Sequence, residues 1–401
     1  MDDLISRSNK KPDLLIPFSI GHCANDLVPI AMYIVIPAFG SALDLSPAKI
    51  GLLFMIHNFA SIAYFPAGLL SDHAANRGIF LVGTFFWTSI GYFIASFADS
   101  FWSFAFLIAL AGMGDAAWHP IATGVLAQIH KTRRAFALGV FAIGGHLSEV
   151  IALPIAGFLL TAFDWRITMQ IMVIPTAIVG CIFVFVAAKV PRQVKSWPNR
   201  EDFNDIWNVW SSKKGISVIA LFTAYNMGLF AITAMAPLYL RSAYELSWLA
   251  TAIAMASMML PGALLQPLMG KVSDKIGRRP LIIFGNAVAA CAAFLAGLSS
   301  TLVISLLTLG IALTLLVGIR SVLLATAVDH ADSREGTSLG LTFAFMDGFA
   351  ASAAVLAGLA GERDLSNAFL LASSFSLLAT FLAILLPKGS NFIGVKHHVP
   401  T

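Results

Sequence analysis

A few polar side chains stand where the surrounding sequence is almost wholly apolar: His22, Asn25 and Asp26; His57; Asp115 and His119; His146 and Glu149; Arg320; and Asp347. Three sets fall at helical neighbour spacing, His22 with Asp26 and Asp115 with His119 at i, i+4, and His146 with Glu149 at i, i+3, so each pair presents one face. Histidine titrates near pH 6.5, and a carboxylate removed from water keeps its proton more readily, so such pairs can take up and release protons in the physiological range. Other chemistries find less support. Cys23, Cys181 and Cys291 lie in apolar runs with no CxxC spacing, which argues against redox chemistry and zinc. No two of the 9 histidines stand at i, i+3 or i, i+4, so the histidine boxes that hold iron are absent. No metal and no other cofactor is expected. Gly112-Met-Gly114-Asp115 matches the Gly-x-Gly-Asp of membrane aspartyl proteases, but their second pattern, Tyr-Asp, is missing. An enzyme is not expected.

The elements that carry these residues must cross a membrane. The chain has 401 residues, 58% hydrophobic and 11% charged, whereas a soluble protein carries about 25% charged residues. A net charge of +4, dispersed along the chain, does not suggest nucleic acid. Crossing about 30 Å of hydrocarbon takes about 20 apolar residues. Twelve such runs are found, at 14–41, 48–70, 78–98, 101–128, 136–161, 166–188, 215–240, 247–270, 280–298, 301–328, 337–360 and 366–387. An even number of spans puts both termini on one side. Placing them in the cytoplasm leaves Lys49, Arg166, Arg241 and Arg363 in the opposite connections and Arg320 inside a span, with all the rest of the 25 Lys and Arg cytoplasmic, as the positive-inside rule requires. Arg7, Lys10 and Lys11 precede the first span, which is too long for a cleavable signal core.

Charge inside a bilayer costs about 2.5–3.5 kcal/mol on insertion scales, so each ionisable residue there should face a cavity or a partner. Spans three, six, nine and twelve hold none. Those four are expected to face lipid while the others surround a polar centre. Pro29, Pro37, Pro66, Pro120, Pro154, Pro237, Pro261 and Pro267 interrupt or end spans, and Gly112, Gly114, Gly144 and Gly145 flank polar positions, as in carriers whose helices break or bend near a site. Phe18, Trp87, Trp118 and Phe141, close to these positions in sequence, suit an amphiphilic or charged small molecule.

The chain divides into a first six-helix block (1–188), a linker (189–214), a second block (215–387) and a tail (388–401). The linker carries Lys189, Arg192, Lys195, Arg200, Lys213 and Lys214. Phe203, Ile206, Trp207 and Trp210 recur there at helical spacing beside Glu201, Asp202 and Asp205, suggesting an amphipathic helix on the cytoplasmic interface, or else a disordered basic loop. The turn after the second span reads Gly68-Leu-Leu-Ser-Asp72-His73-Ala-Ala-Asn76-Arg77-Gly78. That after the eighth reads Gly270-Lys-Val-Ser-Asp274-Lys275-Ile-Gly277-Arg278-Arg279-Pro280. The two aspartates are 202 residues apart, half the chain, which points to a duplicated unit. Each acid can pair with the arginines of its turn and the positive end of a neighbouring helix, a latch for one of two states. Arg278 and Arg279 are either part of that latch or topology anchors.

These turns resemble the G-x-x-x-D-[RK]-x-G-[RK]-[RK] hallmark of the major facilitator superfamily. The second copy matches at Gly270, Asp274, Lys275, Gly277, Arg278 and Arg279, and the first at Gly68, Asp72 and, loosely, Arg77 and Gly78. The resemblance implies an all-α membrane protein with twelve transmembrane helices in two pseudo-symmetric six-helix bundles, moving a small molecule by alternating access. His22-Cys-Ala-Asn25-Asp26, His119-Pro120 and Gly144-Gly145-His146 resemble, in addition, the fosmidomycin-resistance branch, a group of proton-driven drug exporters. That branch has an acid after its His-Pro and an asparagine after its Gly-Gly; here Asp115 and Glu149 are the candidates to stand in for the acid. The resemblance implies proton-coupled efflux of a drug or metabolite, and the polar residues within the spans, His22, Asn25, Asp26, Asp115, His119, His146, Glu149, Arg320 and Asp347, are the candidate proton and substrate contacts. The partners implied are a small-molecule substrate, protons and the lipid bilayer, for a monomer in a bacterial inner membrane. An alternative is proton-coupled uptake of an organic acid or siderophore-like anion, with Arg320 as the anion contact. A substrate-free receptor is the remaining alternative of another class.

Overall fold

The computed structural model describes residues 14–130, 134–195, 197, 200–331 and 335–386. Arg7, Lys10, Lys11 and the tail 388–401 lie outside them. The described residues form helices joined by short turns, and twelve helices are long and apolar enough to cross a membrane. The spans are Leu15–Ala42, Pro47–His73, Arg77–Ala95, Phe101–Ile129, Ala137–Ala162, Trp165–Ala187, Lys213–Tyr244, Trp248–Ile276, Arg278–Gly297, Leu302–Ala327, Phe343–Ala360 and Asn367–Leu385. Their starts are written in the sequence. Ser46, Ser100, Asp164, Ser212 and Ser247 each accept a backbone N–H of the first turn, the standard role of a short polar side chain at a helix N-terminus.

Two differences from the expected spans have physical causes. The eighth span runs past Gly270 to Ile276 because the charged residues of its last turn reach outward without leaving the helix. It stops at Gly277, whose φ of 92° is open to glycine and costly for other residues. Of the prolines expected to interrupt spans, Pro29, Pro37, Pro120, Pro154, Pro237, Pro261 and Pro267 sit inside continuous helices. Only Pro66 stands beside a break. The second span changes to a tight 3₁₀ stretch over Phe59–Ala63 before resuming at Tyr64, where Pro66 has no N–H to offer the carbonyl four residues back. The eleventh span is also broken, between Gly348 and Ser352, where three-residue turn bonds such as Ser352 N–H to the Phe349 carbonyl replace helical ones. The two breaks meet at Ser61 and Gly348.

Contacts between residues before and after the linker run chiefly through the fifth span against the eighth and the second against the eleventh, with the first and seventh also touching. The third, sixth, ninth and twelfth spans pack on neighbours within their own block, which places them at the periphery, as expected for spans with no charged residue beyond their first turns. The first and seventh spans are the most deeply buried. In the linker, Arg200–Trp210 is helical, so the disordered-loop alternative falls for that stretch. Its tryptophans part company: Trp207 is exposed, while Trp210 is buried with its ring edge-on to His330 at 5.2 Å. The side chains of Glu201, Asp202, Phe203, Asp205 and Ile206 lie outside those described.

Candidate functional site

The fifth span can press against the first because Gly144 and Gly145 have no side chain. A Cβ at Gly144 would run into the Ser19 carbonyl, and one at Gly145 would lie 2.7 Å from His22 Cε1. In that space the His22 ring stacks on Phe141, centroids 4.1 Å apart, and its Nδ1 meets the Phe141 carbonyl at 2.8 Å. Its Nε2 turns to the Asp26 carboxylate at 3.3 Å and to His119 Nε2, also at 3.3 Å. His119 completes the cluster, with Nε2 3.7 Å from the other Asp26 oxygen. All three side chains are at least four-fifths buried.

The expected Asp115–His119 side-chain pair is not formed. His119 directs Nδ1 to the Asp115 backbone carbonyl at 2.9 Å, and the Asp115 carboxylate instead accepts from Asn25 Nδ2 at 2.6 Å. One helical turn allows the backbone bond as readily as a side-chain bond, and Asp26 on the facing span competes for the imidazole. His22 with Asp26 does pair as its spacing predicts. His146 and Glu149 face each other at 3.5 Å, more exposed than the His22 cluster. His57 binds the Tyr92 hydroxyl at 2.6 Å. The expectation of no metal rested on cysteines and on histidines within one helix. It did not weigh residues from different spans, and His22, Asp26 and His119 bring their ligand atoms within 4.8 Å of one another.

A second polar centre lies in the later half. Asn226 donates to Asp347 at 2.7 Å and to the Met346 carbonyl at 2.9 Å. Arg320 is only loosely held by Asp347, at 3.8 Å, with its side chain 33% exposed. Tyr64 stands between the centres, its ring 5.8 Å from His119 and 5.2 Å from Phe343. Sequence reasoning missed Asn226, Tyr64 and Tyr225, whose hydroxyl donates to the Leu316 carbonyl at 2.6 Å. A signal for Asn226 was present, because it stands 201 positions after Asn25. The aromatic residues expected at the site divide. Phe141 is there, Phe18 and Trp118 are fully buried in an apolar cluster with Phe85 and Phe183, and Trp87 is partly exposed and donates to the Leu110 carbonyl.

At the turns, Arg278 reaches Asp274 and Ser273 Oγ at 2.5 Å each and Asp329 at 3.3 Å. Arg279 donates to the carbonyls of Ala383 and Ile384. These arginines therefore tie the eighth, ninth, tenth and twelfth spans together and are more than loop charges. In the first turn Arg77 is buried and reaches Gln128 and the Pro191 carbonyl. Gly68 is buried, and Asp72, Gly270, Asp274, Lys275 and Gly277 are exposed or half-exposed.

Residues 18–262 and 250–391 match the model of the Major Facilitator Superfamily. The fosmidomycin resistance protein of Escherichia coli is 23% identical over 388 residues, 93% of this chain and 92% of that protein. The hexuronate transporter of Bacillus subtilis is 28% identical over 196 residues, covering 47% of this chain and 45% of that one. Against three curated relatives at 26% identity the chain spans only 34%, 50% and 61% of their length. Among solved structures, a bacterial homologue of the human lysosomal transporter Spinster superposes with a TM-score of 0.72 at 17% identity over 92% of this chain and 97% of that one. The nucleoside transporter NupG does so with a TM-score of 0.69 at 12% identity, over 96% and 100%. At such identities the two structures show the fold alone. The chain belongs to the Major Facilitator Superfamily, a family of membrane transporters rather than enzymes.

Proposed function

From membership of that superfamily as premise, we propose that this chain exports a small organic molecule in exchange for protons. The two six-helix blocks, 1–188 and 215–387, rock about a central site, and binding of protons or substrate biases which side is open. Both termini lie in the cytoplasm of a bacterial cell and the spans in its inner membrane, as the distribution of Lys and Arg supports. The observation that carries the reading is the convergence of His22 and His119 on Asp26, with Asp115 held nearby by Asn25. Two imidazoles and two carboxylates shielded from water form a group whose proton occupancy changes the charge of the cavity, which is what coupling needs. Glu149 with His146 extends this lining.

Flux in proteoliposomes under an imposed pH gradient tests the reading, with fosmidomycin as the first candidate because of the full-length relative. Transport should follow the gradient, and Asp26→Asn should abolish that dependence. Flux of every candidate substrate that ignores the gradient rejects proton coupling. A second reading, proton-coupled uptake of an organic acid, is favoured by the loose hold on Arg320, which leaves its guanidinium able to take a carboxylate. The direction of flux separates the two.

A further inference from the structure

His22 and His119 each commit one ring nitrogen to a backbone carbonyl, at 2.8 Å and 2.9 Å. A carbonyl only accepts, so Nδ1 carries the hydrogen in both rings and each neutral ring has its lone pair on Nε2. These two Nε2 atoms face each other at 3.3 Å. Asp26 offers one carboxylate oxygen at 3.3 Å to the first and the other at 3.7 Å to the second. Three acceptors therefore point at one spot, and Asp26 Oδ1 is buried without a hydrogen-bond partner. A single proton between the rings satisfies one of these contacts. A metal cation satisfies all of them.

The spacing fits such an ion. Zinc bound tetrahedrally at about 2.0–2.1 Å from each ligand sets neighbouring ligand atoms about 3.3 Å apart. The two Nε2 atoms already stand 3.3 Å apart; the distances of 3.3 and 3.7 Å to Asp26 end on different oxygens, and with one oxygen as the ligand all three atoms lie within 4.8 Å of one another, so the carboxylate must turn toward the rings to close that shape. Two imidazoles and a carboxylate suit zinc, cobalt or nickel better than magnesium or calcium, which prefer oxygen donors throughout. The carbonyls behind both rings are the outer partners that fix the orientation of metal-binding histidines. Phe141 stacked on His22 and the bare Gly145 hold that ring further. His119 is the most exposed of the three and has the Tyr64 ring beside it, so a fourth ligand, a water or a donor atom of a bound solute, would approach from that side.

We propose that His22, Asp26 and His119 form a binding site for a single transition-metal dication of the zinc class. The inference goes beyond the transport reading and holds whichever way substrate moves.

Full-length protein in detergent, freed of any polyhistidine tag, should bind one equivalent of cobalt(II), show the intense visible absorption of a four-coordinate ion, and lose it to added zinc. Asp26→Asn and His119→Ala should each weaken binding about tenfold or more, while His57→Gln and His330→Gln leave it unchanged. Should a triad variant fail to fold, X-ray absorption at the zinc edge of the unmutated protein decides: coordination by two imidazoles and a carboxylate supports the site. No cobalt band at millimolar metal, binding that survives both triad substitutions, or zinc coordination without two imidazoles overturns it.

Discussion

A step of 201 positions carries Asn25 to Asn226, His119 to Arg320, His146 to Asp347, Arg77 to Arg278 and Gln128 to Asp329. The same step carries His22 to Thr223, Asp26 to Met227, Asp115 to Leu316 and Glu149 to Ala350. The two halves thus keep polar positions at matching places but fill them differently. In each, the asparagine of the leading span donates to a carboxylate, Asn25 to Asp115 and Asn226 to Asp347. That carboxylate comes from the fourth span of the first half but from the fifth span of the second. The first half gathers two imidazoles around Asp26, the arrangement from which proton coupling and metal binding are proposed. In the second half a permanent cation stands against a single acid, so its charge changes little. Duplication preserves polar positions along the chain, while chemistry depends on which side chain stands at each.

Several substitutions break or sharpen this contrast. The largest effect is expected at Asp26→Asn, because coupling between two ligands is worth about 1–3 kcal/mol, or about 5- to 150-fold. Gradient-driven flux should fall by that order, whereas Asp347→Asn should alter flux without removing its dependence on the gradient. Next comes Arg320→Met, which strands Asp347 without its cation. A fully buried pair would lose about 3–5 kcal/mol; partial exposure of Arg320 lowers the expectation to about 2 kcal/mol, read by thermal unfolding in detergent. Arg320→Met combined with Asp347→Asn should recover most of the loss. The left-handed stop at Gly277 gives a smaller effect. Gly277→Ala should cost about 1–2 kcal/mol, but the equivalent Asn76, at φ −124°, should accept alanine with little change in the same measurement. The smallest effect is at the turns, where Arg278 has the acid Asp329 and Arg77 has the neutral Gln128. Gln128→Glu should raise stability, and Asp329→Asn lower it, by about 1 kcal/mol each; equal responses in both halves would contradict the contrast.

Much of this was legible along the chain. Twelve apolar runs appeared as twelve spans because crossing hydrocarbon demands a contiguous stretch of such residues. The pairs within one helix, His22 with Asp26 and His146 with Glu149, followed from the helical repeat. The breaks near Ser61 and Gly348 were less visible, since seven similar prolines leave their helices continuous and only packing decides where backbone bonds are given up. Phe18 and Trp118 show the same limit, being near the site in sequence but turned into a separate apolar cluster.

Residue order by itself determined the membrane setting, the number of spans, the duplicated turns and the presence of titratable groups within the bilayer. All of these are properties of contiguous stretches or of a fixed repeat. Tertiary structure alone decided that His119 would serve Asp26 rather than Asp115, that Asn25 would take the acid left over, and that three ligand atoms would converge. His22 and His119 are 97 residues apart. A hydrogen bond needs its partners within about 3 Å, and a separation of that kind is set by how helices pack, which no local pattern encodes.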